Sequence, residues 1–344
     1  MPLVITSLPV TPPARTAPSP TDTDRTAARD ATPQSRITAQ ILAQLETADP
    51  AAWTPPWHGA DPLPCNALTG WRYSGINILV LWVAAQANDY TDPRWATYRQ
   101  WAALGAQVRR GERGTAVLFY RDLTLAGTDT VDGADHGPRF VARTSHVFNA
   151  AQVDGASDRA AHLPTCSAHD PLPVLTTFIS ATGAQVVEAG TRAYYNLRTD
   201  TIRLPPQISF HTTEGYAATL AHELIHWTGA PQRLGRDFTG SFGKQAYAAE
   251  ELVAELGAAF VLADLNIARS PHPDHANYLA HWLPLLRTES RALATAAGHA
   301  SRAAAYLADL QVAVGRGPVD IGASVIPAGS SQSDATTGPI RAAA

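Results

Sequence analysis

The segment His222-Glu223-Leu224-Ile225-His226 constrains this chain more than any other, because two histidines four residues apart can face one ion only if that stretch is a helix. Glu223 then lies beside the imidazoles, where a carboxylate can hold and deprotonate a water. A zinc ion bound by such histidines lowers the pKa of its water towards about 7, within reach of a carboxylate base. The unit is complete for hydrolysis apart from a third ligand.

The next apolar stretch, AAEELVAEL, supplies candidates. Four of the nine glutamates in the 344 residues, Glu223, Glu250, Glu251 and Glu255, fall within 33 positions. Glu251 and Glu255 are one helical turn apart and flanked by Leu252, Val253, Leu256 and Phe260, a pattern that predicts a largely buried helix. Buried carboxylates need a compensating charge, and a metal ion provides it. Glu251 is the expected third ligand and Glu255 the carboxylate orienting a histidine through its other ring nitrogen, with these roles exchangeable. Glu250 points about 100° away on the helix and is expected to be a solvated charge. The competing account pairs these glutamates with Arg233 and Arg236 and must explain the HELIH spacing separately. His211, Tyr247 and His275 are weaker candidates for stabilising an oxyanion, and Arg233 and Arg236 for positioning a substrate.

A second pattern lies upstream. Residues 91–121 hold Arg94, Arg99, Arg109, Arg110, Arg113 and Arg121 against only Asp92 and Glu112, interleaved with Trp95, Tyr98, Trp101, Phe119 and Tyr120. Guanidinium groups on phosphates and aromatic faces under bases are what a single-strand binder requires. Arg72 and Tyr73, with Trp53, Trp57 and Trp71, extend this candidate surface. Of the 26 basic residues only Lys244 is lysine, an imbalance that genome composition explains by itself. The net charge of -4 argues against a surface covered in nucleic-acid contacts but permits a local basic patch.

Two widely spaced cysteines, Cys65 and Cys166, exclude a disulfide scaffold and a thiol redox motif, and reduced thiols fit a cytoplasmic protein. No stretch approaches the roughly 18 to 20 apolar residues of a membrane span. The proline-broken first residues do not read as a signal peptide.

Periodicity and breakers predict an α+β chain of two domains: a tail at 1–35, a mixed domain at 36–155, a linker at 156–172, a second domain at 173–312 and a tail at 313–344. In the first domain Ile37, Ile41 and Leu45 mark a helix, as do residues 76–87 and 95–104, and residues 115–120 pair with 140–148. In the second, residues 175–182 read as helix, 185–187 as strand and 193–197 with 201–204 as a hairpin. Helices follow at 213–228, 247–265 and 275–312, the last interrupted at Pro284.

RITAQILAQLE, PCNALTGWRYSGINILVLW, RWATYRQWAALGAQVRRGERGT and VFNAAQVDG resemble the N-terminal domain of ArdC-type antirestriction proteins. AYYNLRTDTIRLPP, HELIHWTG, RLGRD and YAAEELVAELGAAF resemble the zincin-type metallopeptidase domain joined to it. The likeness runs from about residue 36 to residue 312. It implies a single-stranded-DNA-binding domain and a zinc-dependent peptidase domain acting on an unknown protein substrate. By position it makes His222 and His226 ligands, Glu223 the base, and Glu251 or Glu255 the third ligand. Ala230 departs from the pattern, which often has histidine after HWTG. The alternative function is a non-enzymatic DNA-binding antirestriction factor whose metal site is structural or vestigial.

Overall fold

The computed structural model describes residues 61–122, 140–156, 171–268, 284–289 and 291–313, and residues 38, 39, 42 and 57 besides. The expected tails, most of the linker, and Ile37, Ile41, Leu45, Trp53 and His275 lie outside the described residues.

Described residues of the N-terminal half run β1 (Cys65–Asn66), α1 (Ile76–Ala87), β2 (Arg94–Ala96), α2 (Tyr98–Ala103), β3 (Gln107–Val108), β4 (Thr115–Asp122), β5 (Phe140–Asn149) and β6 (Val153–Asp154). One sheet has the order β1-β2-β5-β4, and β3 pairs with β6. The β4–β5 hairpin pairs Thr115 with Val147 and Asp122 with Phe140, as the two apolar runs predicted. The helix expected over 95–104 is shorter. Arg94–Ala96 pairs with β1 and β5, and Thr97 caps the helix: its Oγ1 accepts from Gln100 N while the Gln100 side chain accepts from Thr97 N.

The C-terminal half has α3 (Pro171–Thr182), β7 (Gln185–Glu188), β8 (Tyr194–Asn196), β9 (Thr201–Leu204), α4 (Thr213–Thr228), α5 (Thr239–Phe242), α6 (Ala246–Asp264) and α7 (Ala292–Ala313). Its sheet has the order β7-β9-β8, with β7 parallel and β8 antiparallel to β9. Thr212 Oγ1 caps α4 by accepting from Gly215 N at 3.0 Å. Within the described part of the last expected helix, residues 284–288 form a helical turn, and the long helix starts at Ala292 rather than directly after Pro284.

The fold is two-domain α+β, yet its buried residues form a core that crosses both halves. Trp82 of α1 meets Phe260 of α6 at a ring separation of 5.8 Å. Gly75 N donates to Ser301 Oγ on α7 at 2.7 Å, and Arg72 pairs with Asp264 at the end of α6. Buried Asn77 is satisfied by the β4 backbone, donating to Leu118 O at 2.7 Å and accepting from Leu118 N at 2.8 Å, which pins α1 to the sheet. Helix α6 is buried along nearly its whole length between α4 and α7, and this sandwich places its glutamates against the histidines of α4.

Candidate metal centre

Helix α4 presents His222 and His226 on one face, and α6 presents Glu251 opposite them. Nε2 of His222 and Nε2 of His226 lie 3.2 Å apart. The Glu251 carboxylate oxygens stand 3.5 Å from His222 Nε2 and 3.6 Å from His226 Nε2. Among the described residues these three could hold a metal ion, each offering an atom within 4.8 Å of the others. Glu255, the alternative, faces the far side of His222, with Oε2 3.8 Å from Nδ1.

The chemistry of the donor set fits a cation. His226 Nδ1 lies 3.1 Å from Glu250 Oε1, so its ring proton belongs on the Nδ1 side, and His222 Nδ1 faces Glu255 at 3.8 Å. The Nε2 atoms of both rings then converge with a carboxylate at the foot of the cleft, an arrangement that needs a proton or a metal cation among its acceptors.

Electrostatics record the same demand. Burial opposes a charged His222, but its hydrogen bond to Glu251 and the charges of Glu223, Glu251 and Glu255 outweigh it and raise its pKa. Burial likewise pushes Glu251 up, and bonds to His222 and charges on both histidines bring it below the usual carboxylate range. Tyr247, hydrogen-bonded to Glu251, is pushed up to about 12 by burial and by the Glu251 and Glu223 charges.

Close helix packing sets the spacing. A Cβ on Gly257 of α6 would come within 2.8 Å of Ile225 Cδ1 on α4, so the glycine is what lets the two helices approach. A cleft of about 770 Å³ opens above the cluster. Glu223 and Tyr247 line it, as do residues 191–195, which include the start of β8, an edge strand among the described residues.

The expected solvated role of Glu250 is overturned. Its carboxylate takes Arg236 Nε at 3.0 Å and Nη2 at 2.7 Å as well as His226, and burial loses to those bonds, leaving the pKa at about 2. Arg233 is likewise not a substrate-positioning group: it stacks 3.8 Å over Trp227 and donates to Asp200 and Tyr195, tying the β8–β9 turn to the end of α4. Arg236 does line the cleft, but its side chain is almost wholly buried and its donors are committed to Glu250 and the end of α4. His211 is exposed and does not line the cleft.

The arginine-and-aromatic surface is only partly free. Trp95 is 1% exposed and packs edge-on against Tyr90, because its side of β2 faces the core, so it is no stacking platform. Tyr73 is buried, its hydroxyl donating to Trp95 O. Arg94 is held by Asp92, with Nη2 to Oδ2 at 2.6 Å, and Arg72 by Asp264. Arg109 pairs with Glu112 and donates to Ala151 O. Tyr98, Arg99, Arg110 and Arg113 are exposed, and so is Trp71, at 73%. The turn bearing Trp71 is tied to α2 by Asn66 Nδ2 donating to Gln100 Oε1.

A buried and a half-buried histidine with a facing glutamate on packed helices, beside a small sheet whose edge strand borders the cleft, define a zincin-like metallopeptidase domain joined to a mixed α+β domain. Residues 173–299 match a family described as zincin-like metallopeptidase, and residues 31–152 match the N-terminal domain of the anti-restriction factor ArdC. An uncharacterised protein of Sinorhizobium fredii is 40% identical over 292 residues, covering 83% of this chain and 94% of its own. A DNA primase TraC of Escherichia coli is 34% identical over 80% of this chain, which spans only 20% of TraC. Among solved structures, the metal-free crystal structure of antirestriction ArdC from plasmid R388 aligns with a TM-score of 0.67 at 34% identity, covering 82% of this chain and 99% of that one. A Mn(II)-bound structure of the same protein aligns with a TM-score of 0.65. The chain belongs to the ArdC antirestriction family.

Proposed function

We propose that this protein is a single-stranded-DNA-binding metallopeptidase of the antirestriction type, with His222, His226 and Glu251 as ligands of a divalent cation and Glu223 as general base. The convergence of two Nε2 atoms and a carboxylate in a buried pocket carries this reading. Zinc suits the donor set, and the Mn(II)-bound relative supports a site tolerant of other divalent ions. The ion would supply Lewis-acid polarisation of a carbonyl and of the attacking water.

The remaining steps belong to the chain. Glu223 on the cleft wall accepts a proton from the attacking water and returns it to the leaving amine nitrogen. Tyr247, neutral at physiological pH, keeps a donor at the cleft beside the reacting carbonyl. The β8 edge offers unpaired backbone groups to an extended peptide, which favours an unfolded protein segment as substrate. Trp71, Tyr98, Arg99, Arg110 and Arg113 form the surface for stacked bases and phosphates.

Glu223→Gln tests the assignment: metal content and fold persist while hydrolysis of an unfolded protein substrate is lost. Protection of transferred DNA from restriction that survives this change intact refutes proteolysis as the mechanism and leaves DNA binding as the antirestriction activity.

A further inference from the structure

Beside His226, on the cleft wall that Gly229, Arg236 and Glu250 help to line, lies an assembly that neither the hydrolytic chemistry nor the ligand set employs. Arg236 has a side chain only 2% exposed, and its donors are shared among four acceptors: Glu250 Oε2 from Nε, Glu250 Oε1 and Ile225 O from Nη2, and Thr228 Oγ1 from Nη1. Those last two acceptors belong to the final turn of α4, where backbone carbonyls lack helical partners. The guanidinium therefore closes the end of the histidine helix and holds Glu250 against it. Glu250 Oε1 receives both Arg236 Nη2 at 2.7 Å and His226 Nδ1 at 3.1 Å. Gly229 makes room for this arrangement: a Cβ there would lie 2.7 Å from Arg236 Nη2 and 2.9 Å from its Cζ.

We infer that Arg236 and Glu250 are positioning residues that fix the ring orientation and tautomer of His226, and so set how tightly the cleft binds a divalent ion. The inference rests on the metal-site reading above. A bidentate guanidinium pair fixes a carboxylate in plane as a lysine cannot. A carboxylate so fixed accepts the Nδ1 proton at one ring angle, which leaves Nε2 free on the side of His222 and Glu251. The carboxylate behind His222 stands farther off, with Glu255 Oε2 3.8 Å from Nδ1. Removing such partners typically costs 10- to 100-fold in metal affinity.

The test uses the full chain, with Zn(II) and Mn(II) affinities measured by chelator competition. Nitrogen chemical shifts of the imidazoles report the tautomer in the metal-free protein, and melting is followed without metal. Glu250→Ala should weaken both ions about 10- to 100-fold and mix the His226 tautomers. Glu250→Gln, which keeps an acceptor for Nδ1–H, should restore the tautomer and part of the affinity. Arg236→Lys should fall between the two and Gly229→Ala should follow it, whereas the surface control Glu289→Gln should leave every readout unchanged. A purely stabilising role would lower melting in these variants without moving the tautomer or the affinity. Wild-type binding with unchanged affinity in Glu250→Ala overturns this inference alone, and wild-type protein that binds neither ion overturns the metal site and this inference with it.

Discussion

Replacing Gly257 with alanine should disturb the candidate metal centre from a position that touches none of its ligands. The added Cβ would lie 2.8, 2.9 and 3.0 Å from Ile225 Cδ1, Cγ1 and Cγ2. Because three atoms of one side chain crowd the same point and Ile225 is fully buried, no single rotamer change clears the contact, and α4 must move from α6 by about half an ångström. Overpacking of this kind costs ~1–3 kcal/mol, and alanine returns about 1 kcal/mol in helix propensity. The net loss is therefore ~0–2 kcal/mol, or a few degrees in melting temperature. Ile225 sits between His222 and His226 in sequence, so the same displacement moves both imidazoles away from Glu251. Divalent-ion affinity should drop about tenfold, the low end of what loss of a supporting group costs. Ile225→Ala alone should lose ~2–5 kcal/mol to the cavity it leaves. In combination with Gly257→Ala it should lose less than the sum of the two, by about 1 kcal/mol or more. Thermal melting and chelator competition on the four proteins check this. Gly257→Ala with wild-type melting and wild-type affinity would show that the close approach of α4 and α6 does not space the site.

Trp71→Ala should weaken binding of a short single-stranded oligonucleotide by ~1–3 kcal/mol, whereas Arg94→Ala should hardly change it, since Arg94 is engaged by Asp92; fluorescence anisotropy at fixed salt distinguishes them. Burial, together with the charges of Arg302 and Arg236, lowers the pKa of His299 from 6.5 to about 4. The fold thus resists protonation of this group: its contribution is fully present above pH 6.5 and is lost as the pH falls from there towards 4. With half-exposure and screening discounted, about 1 kcal/mol should disappear over that window, and His299→Asn should flatten this part of a stability–pH profile measured by denaturant unfolding.

The second domain was the more legible part of the sequence because its chemistry and its periodicity coincide. HELIH at helical spacing and the apolar flanks of Glu251 and Glu255 each indicate a buried helix, and α4 and α6 lie where those patterns end. Which carboxylate faces both Nε2 atoms was not legible, since Glu251 and Glu255 share a helix face and differ only in height along it. The role of Glu250 is hidden in the sequence for a related reason. A residue on the flank of a helix is solvated only if nothing packs there, and Arg236 occupies that flank from a loop 14 residues earlier in the chain. The RLGRD arginine close after the motif was the one available signal. In the first domain the aromatic count was visible but the side of the strand was not: Trp95 and Tyr98 are three residues apart, and a change from strand to helix at Thr97 sends one into the core and the other into solvent.

The shared core has a consequence for how the chain responds to ligands. Trp82 and Phe260 bury each other, Ser301 accepts from the backbone before α1, and Arg72 reaches the end of the glutamate helix, so neither half can open without exposing apolar surface of the other. These contacts predict that the two halves melt together as one cooperative unit rather than as a pair of beads. A ligand that binds only the folded cleft therefore protects the arginine-bearing half as well, by the same free energy, without touching it. Cutting between the halves would yield two fragments, each with a raw hydrophobic face, instead of two working modules.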